Sequence, residues 1–321
     1  MKGDFSRSTF DPLKHYTSVR MQQGRVQLDA DWNEQVDILL HLIQTQLADL
    51  LGAGTTVAAE PGFAITLVEP GEEPENQTEK DQLEEPPVPA RTLPDFQIGA
   101  GRYYVEGILC ENEAPVLFSQ QPDYPAAASL VEEVADHDQY LVYLDVWQRH
   151  VTAVEDPAIR EIALGGPDTT TRVKTVWQVK RLPLSIDLSA NQSSLEHGGL
   201  RTLTGWEEYV TQSSQKCLLK ARMDPAKAAV LENRLYRVEI HSVTNDQATF
   251  KWSRENGSVV LPITSKNISK AGEDTLRVNV ENLGRDPYQL QEGFWVELAD
   301  DVTVLNGHPL PLCQVTTLDR T

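Results

Sequence analysis

The chain of 321 residues and 35.8 kDa is long enough for one large domain or two ordinary ones with a sizeable core, which excludes a disulfide-stapled miniprotein. Its 28 Lys and Arg face 48 Asp and Glu, a formal charge of −20 with a pI near 4.7, so its global field repels phosphate backbones and argues against nucleic acid as a partner. With 40% hydrophobic and 24% charged residues it has the composition of a folded globular protein, too apolar for a disordered acidic chain.

Residues 1–28 form a basic segment inside this acidic protein: Lys2, Arg7, Lys14, Arg20 and Arg25 stand against only Asp4 and Asp11. The asymmetry suggests an arm that docks on something acidic. Val19, Met21, Val26 and Leu28 alternate around Gly24, the pattern of an extended segment with a bend.

Residues 29–52 carry the clearest helical signal. Trp32, Val36, Leu39, Leu40, Ile43, Leu47, Leu50 and Leu51 recur at three- and four-residue steps. Asp29 or Asp31 suits the N-cap, Glu34 the first turn, and Gly52 with Gly54 the stop. The apolar stripe packs on the protein's own sheet or, since the helix sits between a basic arm and a linker, serves as an intermolecular contact.

Residues 53–98 read as a connector holding an acidic, Pro-rich loop at 69–95, where nine acidic residues face only Lys80 and Arg91. That composition buries little and repels itself. Residues 99–321 read as a β-rich body of one or two subdomains. Candidate strands are Arg102–Leu109, Pro115–Phe118, Tyr140–Val154, Arg172–Leu184, Cys217–Ala221, Leu235–Val243, Ala248–Ser253, Val259–Ile263, Thr275–Val280, Phe294–Leu298 and Leu310–Thr317. ATFKWSRENGSVVLPI reads as a hairpin turning at Asn256-Gly257. Two short helices are expected, at Pro225–Asn233 and Pro157–Ala163. The fold class is therefore mainly β: an antiparallel β-sandwich or barrel body with an N-terminal extended arm and one long amphipathic helix.

The glycine clusters at 52–54, 99–101 and 165–167 lack the third glycine or the Lys-Ser/Thr of a phosphate cradle. The run from Asp29 to Asn33 opens like a calcium loop but has Glu34 where glycine is needed and Leu40 where a carboxylate is needed. The seven histidines are scattered singly, and Cys110, Cys217 and Cys313 have no metal-ligand spacing, so they read as small buried hydrophobes in a reducing compartment. There is no serine-nucleophile elbow, and the strand-borne aromatics suit a core. No enzyme, metal or cofactor is expected. With no signal-peptide core and no run of 18 apolar residues, cytoplasmic synthesis without membrane insertion is expected.

The opening MKGDFSRSTFDPLKHYTSVRMQQGRVQLDADWNEQ resembles the start of an uncharacterised protein family associated with the gene clusters of phage-tail-like contractile injection systems. Three further blocks are similar to that family: GRYYVEGILCENE at 101–113, YLVYLDVWQRHVTAVEDPAIREIALGGPDTTTRVKTVWQVKRL at 140–182, and LENRLYRVEIH with FKWSRENGSVV at 231–260. The resemblance implies a structural part of a contractile particle, in or around the baseplate, and supplies no catalytic motif.

Its implied partners are other baseplate or tail subunits, with the chain present as a homo-oligomer or in symmetric multiples of three or six. In that role Phe5, Phe10, Tyr16, Met21 and Val26 are expected as the arm's anchors, Arg7, Arg20 and Arg25 as its charged contacts, and Trp32 as the helix's contribution. The alternatives are a cargo or effector carried by the particle, and a β-sandwich glycan-binding module contacting the target surface.

Overall fold

The computed structural model describes residues 3–57, 61–68, 95–132, 140–183, 206, 209–210, 236–244, 247–254, 259–263, 268–271, 275–280, 290–307 and 310–319. The chain is mainly β. A long helix, α1 (Asp29–Leu51), precedes strands β1 (Gly54–Thr56), β2 (Ile65–Val68), β3 (Asp95–Ile98), β4 (Gly101–Val105), β5 (Ile108–Asn112) and β6 (Val116–Leu117). After a short helix α2 (Ala127–Glu132) come two long strands, β7 (Tyr140–Val151) and β8 (Arg172–Pro183). The C-terminal part holds β9 (Arg237–Thr244), β10 (Gln247–Ser253), β11 (Ile268–Lys270), β12 (Leu276–Val278), β13 (Trp295–Val296), helix α3 (Asp301–Asn306) and β14 (Cys313–Gln314).

Every ladder among the described residues is antiparallel. Two three-stranded sheets, β1-β4-β5 and β2-β3-β6, accompany the two-stranded ribbons β7-β8, β9-β10, β11-β12 and β13-β14. Among the described residues the ladders stop at two or three strands, short of a closed barrel.

The core forms where the two small sheets meet one face of the β7–β8 ribbon. Phe63, Phe96, Ile98, Cys110, Phe118, Ala127 and Val179 are buried there, with Val142, Leu144, Val146 and Trp177 packed against them. In a strand successive side chains alternate faces, so Val142, Leu144 and Val146 turn inward while Tyr143, Asp145 and Trp147 take the opposite face. Phe63 meets Trp177 edge to face at 4.9 Å, and Phe96 meets Phe118 at 4.8 Å. The second face of the ribbon carries α3: the buried Gln178 side chain donates to the Leu305 carbonyl at 3.2 Å and to the Asp123 carbonyl at 2.6 Å. Arg149 pairs there with Glu155 and with Asp301.

Several expectations are corrected. The single strand expected over Arg102–Leu109 is a hairpin, because Glu106 (φ 49°) and Gly107 (φ 77°) both take left-handed backbone, the requirement of a two-residue type I′ turn. Residues 53–98, expected as a connector, contribute β1, β2 and β3, and β3 is among the most buried strands of the chain. Of the acidic loop at 69–95, Asp95 is a buried member of β3 and the remainder lies outside the described residues.

β10 pairs with β9 instead, Gln247 lying opposite Thr244, and residues 259–263 carry no strand. The expected Asn256-Gly257 turn, the strand Cys217–Ala221 and the helix Pro225–Asn233 lie outside the described residues. The helix expected at Pro157–Ala163 is two 3-10 turns, each capped by an acid: Asp156 accepts from the Ala158 amide and Glu161 from the Ala163 amide. Neither Asp29 nor Asp31 is the N-cap of α1. Leu28 holds that position without a side-chain bond, and Gly52 ends the helix as expected, its N–H returning to the Ala48 carbonyl.

Candidate functional site

α1 presents three faces, and the exposed one is the apolar stripe. Trp32, Val36, Leu39, Ile43 and Leu50 stand four, seven, eleven and eighteen residues along from Trp32, so they share one stripe of a 3.6-residue helix. All five are exposed, Trp32 at 61% and Leu50 at 81%. The fully buried positions of α1 are Ala30 and Ile38, at 1% each, and neither belongs to the stripe that periodicity selects.

The arm explains the inversion. It bonds to the face that holds Glu34, Gln35 and His41, the residues that flank the buried Ile38. At the start of the arm, Phe5 meets the His150 ring of β7 edge-on at 5.6 Å. Ser6 donates both its amide (2.9 Å) and its hydroxyl (2.6 Å) to the Asp29 carboxylate. Thr9 donates to Glu34 at 2.5 Å, and the Phe10 ring lies 5.6 Å from that of His41. The chain turns at Pro12–Lys14, with His15 in the left-handed region, and comes back so that the Val19 amide donates to the Gln35 side chain at 2.8 Å.

This pairing is electrostatically apt. α1 contains Asp29, Asp31, Glu34, Asp37 and Asp49 and no Lys or Arg. The acidic surface to which the basic arm goes is, in part, its own helix. The Ser6 hydroxyl and amide hold the Asp29 carboxyl below its ordinary value, and burial together with Glu34 raises that of Asp37. At the far end, burial depresses the His150 imidazole while Glu155 pulls it the other way, and neither ring nitrogen has a hydrogen-bond partner among the described residues.

The third face of α1 borders a half-open groove of about 810 Å³. Leu40, Ile43, Gln44 and Leu47 form one wall, and the β4–β5 hairpin with Trp177 and Lys174 of β8 forms the rest. Ile108 and Leu109 add apolar surface, while Glu111 and Glu113 bring carboxylates to the rim. Lys174, the lining cation, is held by Asp123 at 2.8 Å. Trp177 is fixed by its indole N–H, which donates to the Glu111 carbonyl at 2.8 Å.

The expected partner-binding residues divide into two groups. Phe5 and Phe10 are half-buried on the chain's own His150 and His41, so these two anchors are engaged within the molecule. Arg7, Tyr16, Arg20, Met21, Arg25, Val26 and Trp32 are exposed. Every residue from Arg20 to Asp29 is exposed, Val26 at 83%. Sequence reasoning missed the groove. Its one local signal was Glu106-Gly107, which falls inside what looked like an unbroken strand.

Other chemistry is sparse among the described residues. No group of three or more His, Cys, Asp or Glu is arranged to hold a metal ion, and no helix is long and apolar enough to cross a membrane. Cys110 is buried as expected, and burial pushes its thiol up to about 11, while Cys313 is half-buried.

The arm-clad helix on a body of small antiparallel sheets defines a mainly β protein with a built, outward-facing apolar surface. The chain belongs to the family of unknown function DUF6519, whose profile matches residues 1–198 and 210–321. No curated protein and no solved structure matches the chain.

Proposed function

We propose that this chain is a structural component of a phage-tail-like contractile injection system, in or around the baseplate, and that it docks on neighbouring subunits through its arm and α1. One observation carries this reading: the stripe from Trp32 to Leu50 is exposed on a helix whose opposite face the chain has already covered with its own arm. With Leu40 and Leu51, the stripe leaves roughly 600 to 700 Å² of apolar side chain in water. That exceeds the 300–600 Å² or so typical of a monomer's largest patch and approaches the roughly 800 Å² per partner of a standard interface. The resemblance of the opening segment and the three internal blocks supplies the particle.

In this role the arm and helix act as one composite surface, with Phe5 and Phe10 fastening the arm and Arg20, Met21, Arg25, Val26 and Trp32 facing the neighbour. The small antiparallel sheets of the body would complete a sandwich or barrel, and the subunit would assemble in the cytoplasm in multiples of three or six. The test replaces Trp32 and Leu39 together by Asp in the producing cell, followed by quantitative mass spectrometry of purified particles. Loss of the subunit from particles, with the wild type present in symmetric multiples, supports the reading. A wild-type copy number unrelated to the particle symmetry points to cargo and overturns it.

A second reading has one observation in its favour. Tyr236, Phe250 and Trp252 share an exposed face of the β9–β10 ribbon, with the Tyr236 and Trp252 rings 6.2 Å apart, an arrangement on which sugar rings stack. Binding on a glycan array that Trp252→Ala abolishes would favour a glycan-binding module.

A further inference from the structure

We infer that the groove between α1 and the β4–β5 hairpin receives the loop Arg20–Val26 of a second copy of this chain, so that copies join head to tail. The inference rests on the proposed docking role of arm and helix and names the partner.

The two surfaces match in chemistry. The groove is walled by Leu40, Ile43, Ile108 and Trp177 and rimmed by Glu111 and Glu113, while Asp123 already holds Lys174. It therefore asks for an apolar segment flanked by cations. The loop supplies one. Met21 and Val26 flank a tight turn in which the Arg25 amide donates to the Gln22 carbonyl at 3.2 Å and Gly24 takes φ 71°. A Cβ at Gly24 would meet nothing within 4 Å, and every residue of the turn is exposed, so it stands clear of its own molecule. Arg20 and Arg25 are exposed and make no ion pair among the described residues.

The loop cannot serve its own groove. The arm is held on the Glu34, Ile38 and His41 face of α1 by Ser6, Thr9, Phe10 and Val19, whereas Leu40, Gln44 and Leu47 open the groove on a different face. Its occupant is thus another copy. The resulting contact is heterologous, one patch against a different patch, and such contacts close into rings or run on as filaments. A ring is the form a particle of three- or six-fold symmetry requires.

The experiment is sedimentation velocity on the purified full chain, from about 1 to 100 μM. The wild type is expected to associate with rising concentration. Val26→Asp in the loop and Ile43→Asp in the groove wall should each weaken association at least about tenfold with unchanged circular dichroism, since both side chains are exposed. Mixing the two variants should give a dimer that grows no further, because one contributes an intact groove and the other an intact loop. Arg25→Glu should likewise weaken association and Glu111→Arg restore it in the double variant.

A wild type monomeric throughout, a Val26→Asp variant that associates normally, or a mixture that stays monomeric would overturn the inference. The second is what a symmetric helix-to-helix dimer produces. Self-association of the purified chain is read independently of particle incorporation, so failure of one reading is distinguishable from failure of the other.

Discussion

Gly107, at the tip of the β4–β5 hairpin, lies against the backbone of Gln44 in the third turn before the end of α1. A Cβ on Gly107 would stand 2.8 Å from the Gln44 carbonyl carbon and closer still to its oxygen. This is the point at which the helix rests on the β body, and it is also where the hairpin needs φ 77°.

Gly107→Ala is therefore penalised twice. The left-handed backbone costs about 1 kcal/mol, and the helix must lift away from the hairpin, for a total of about 2–3 kcal/mol. Gly307→Ala provides the contrast, since Gly307 takes left-handed backbone (φ 67°) but has nothing within 4 Å of the added Cβ, so about 1 kcal/mol is expected. Urea unfolding of both variants separates strain from clash.

Gln121 substitutes for a missing strand. Its side-chain oxygen accepts from the Val179 amide at 2.7 Å, and its amide nitrogen donates to the Val179 carbonyl at 3.0 Å and to that of Phe118 at 3.1 Å. All of this is buried, so Gln121→Leu strips the exposed edge of β8 of its partners. A loss of about 2–4 kcal/mol is expected in the same urea measurement, with the m-value unchanged.

Much of this architecture was legible where the pattern was long. β7 and β8 each alternate over twelve residues, and α1 repeats over six turns, so both stood out. β1, β2 and β3 have only three or four residues each and flank an acidic stretch whose composition dominated the reading of 53–98. The helix was recognised, and the choice between a core-facing and an outward-facing stripe was left open. Periodicity picks the stripe richest in apolar residues as the core face, and here that stripe faces solvent because the arm covers the other side. Phe5 and Phe10 illustrate the same limit: their partners, His150 and His41, are far away in sequence and leave no local trace.

Acid should loosen the arm in two stages. His150 sits in the docked state with its imidazole depressed by burial, so its contribution is fully present above about pH 6.5 and is lost as pH falls through the lower folded value. Asp29 is likewise depressed, by Ser6, so its contribution holds above its ordinary 3.8 and disappears only below it. Amide hydrogen exchange at Ser6 and Val19, corrected for intrinsic rate, should accelerate as pH falls below about 6.5 and again below about pH 4. His150→Gln should remove the first stage and leave the second.

The opposite faces of α1 should respond in opposite ways to substitution. Ile38, on the face to which the arm bonds, is 1% exposed, so Ile38→Ala empties a packed site and should cost about 2–5 kcal/mol. Leu39, its neighbour in sequence, is 48% exposed on the stripe, and Leu39→Asp should change the stability of the isolated chain by no more than about 0.5 kcal/mol. If the stripe is a docking surface, that same substitution should abolish contact with the neighbouring subunit, because an unpaired carboxylate would then be buried in an apolar interface. Thermal unfolding of dilute protein and particle incorporation in cells must therefore rank the two variants in reverse order. If Leu39→Asp destabilised the dilute chain as much as Ile38→Ala, the stripe would belong to the protein's own core.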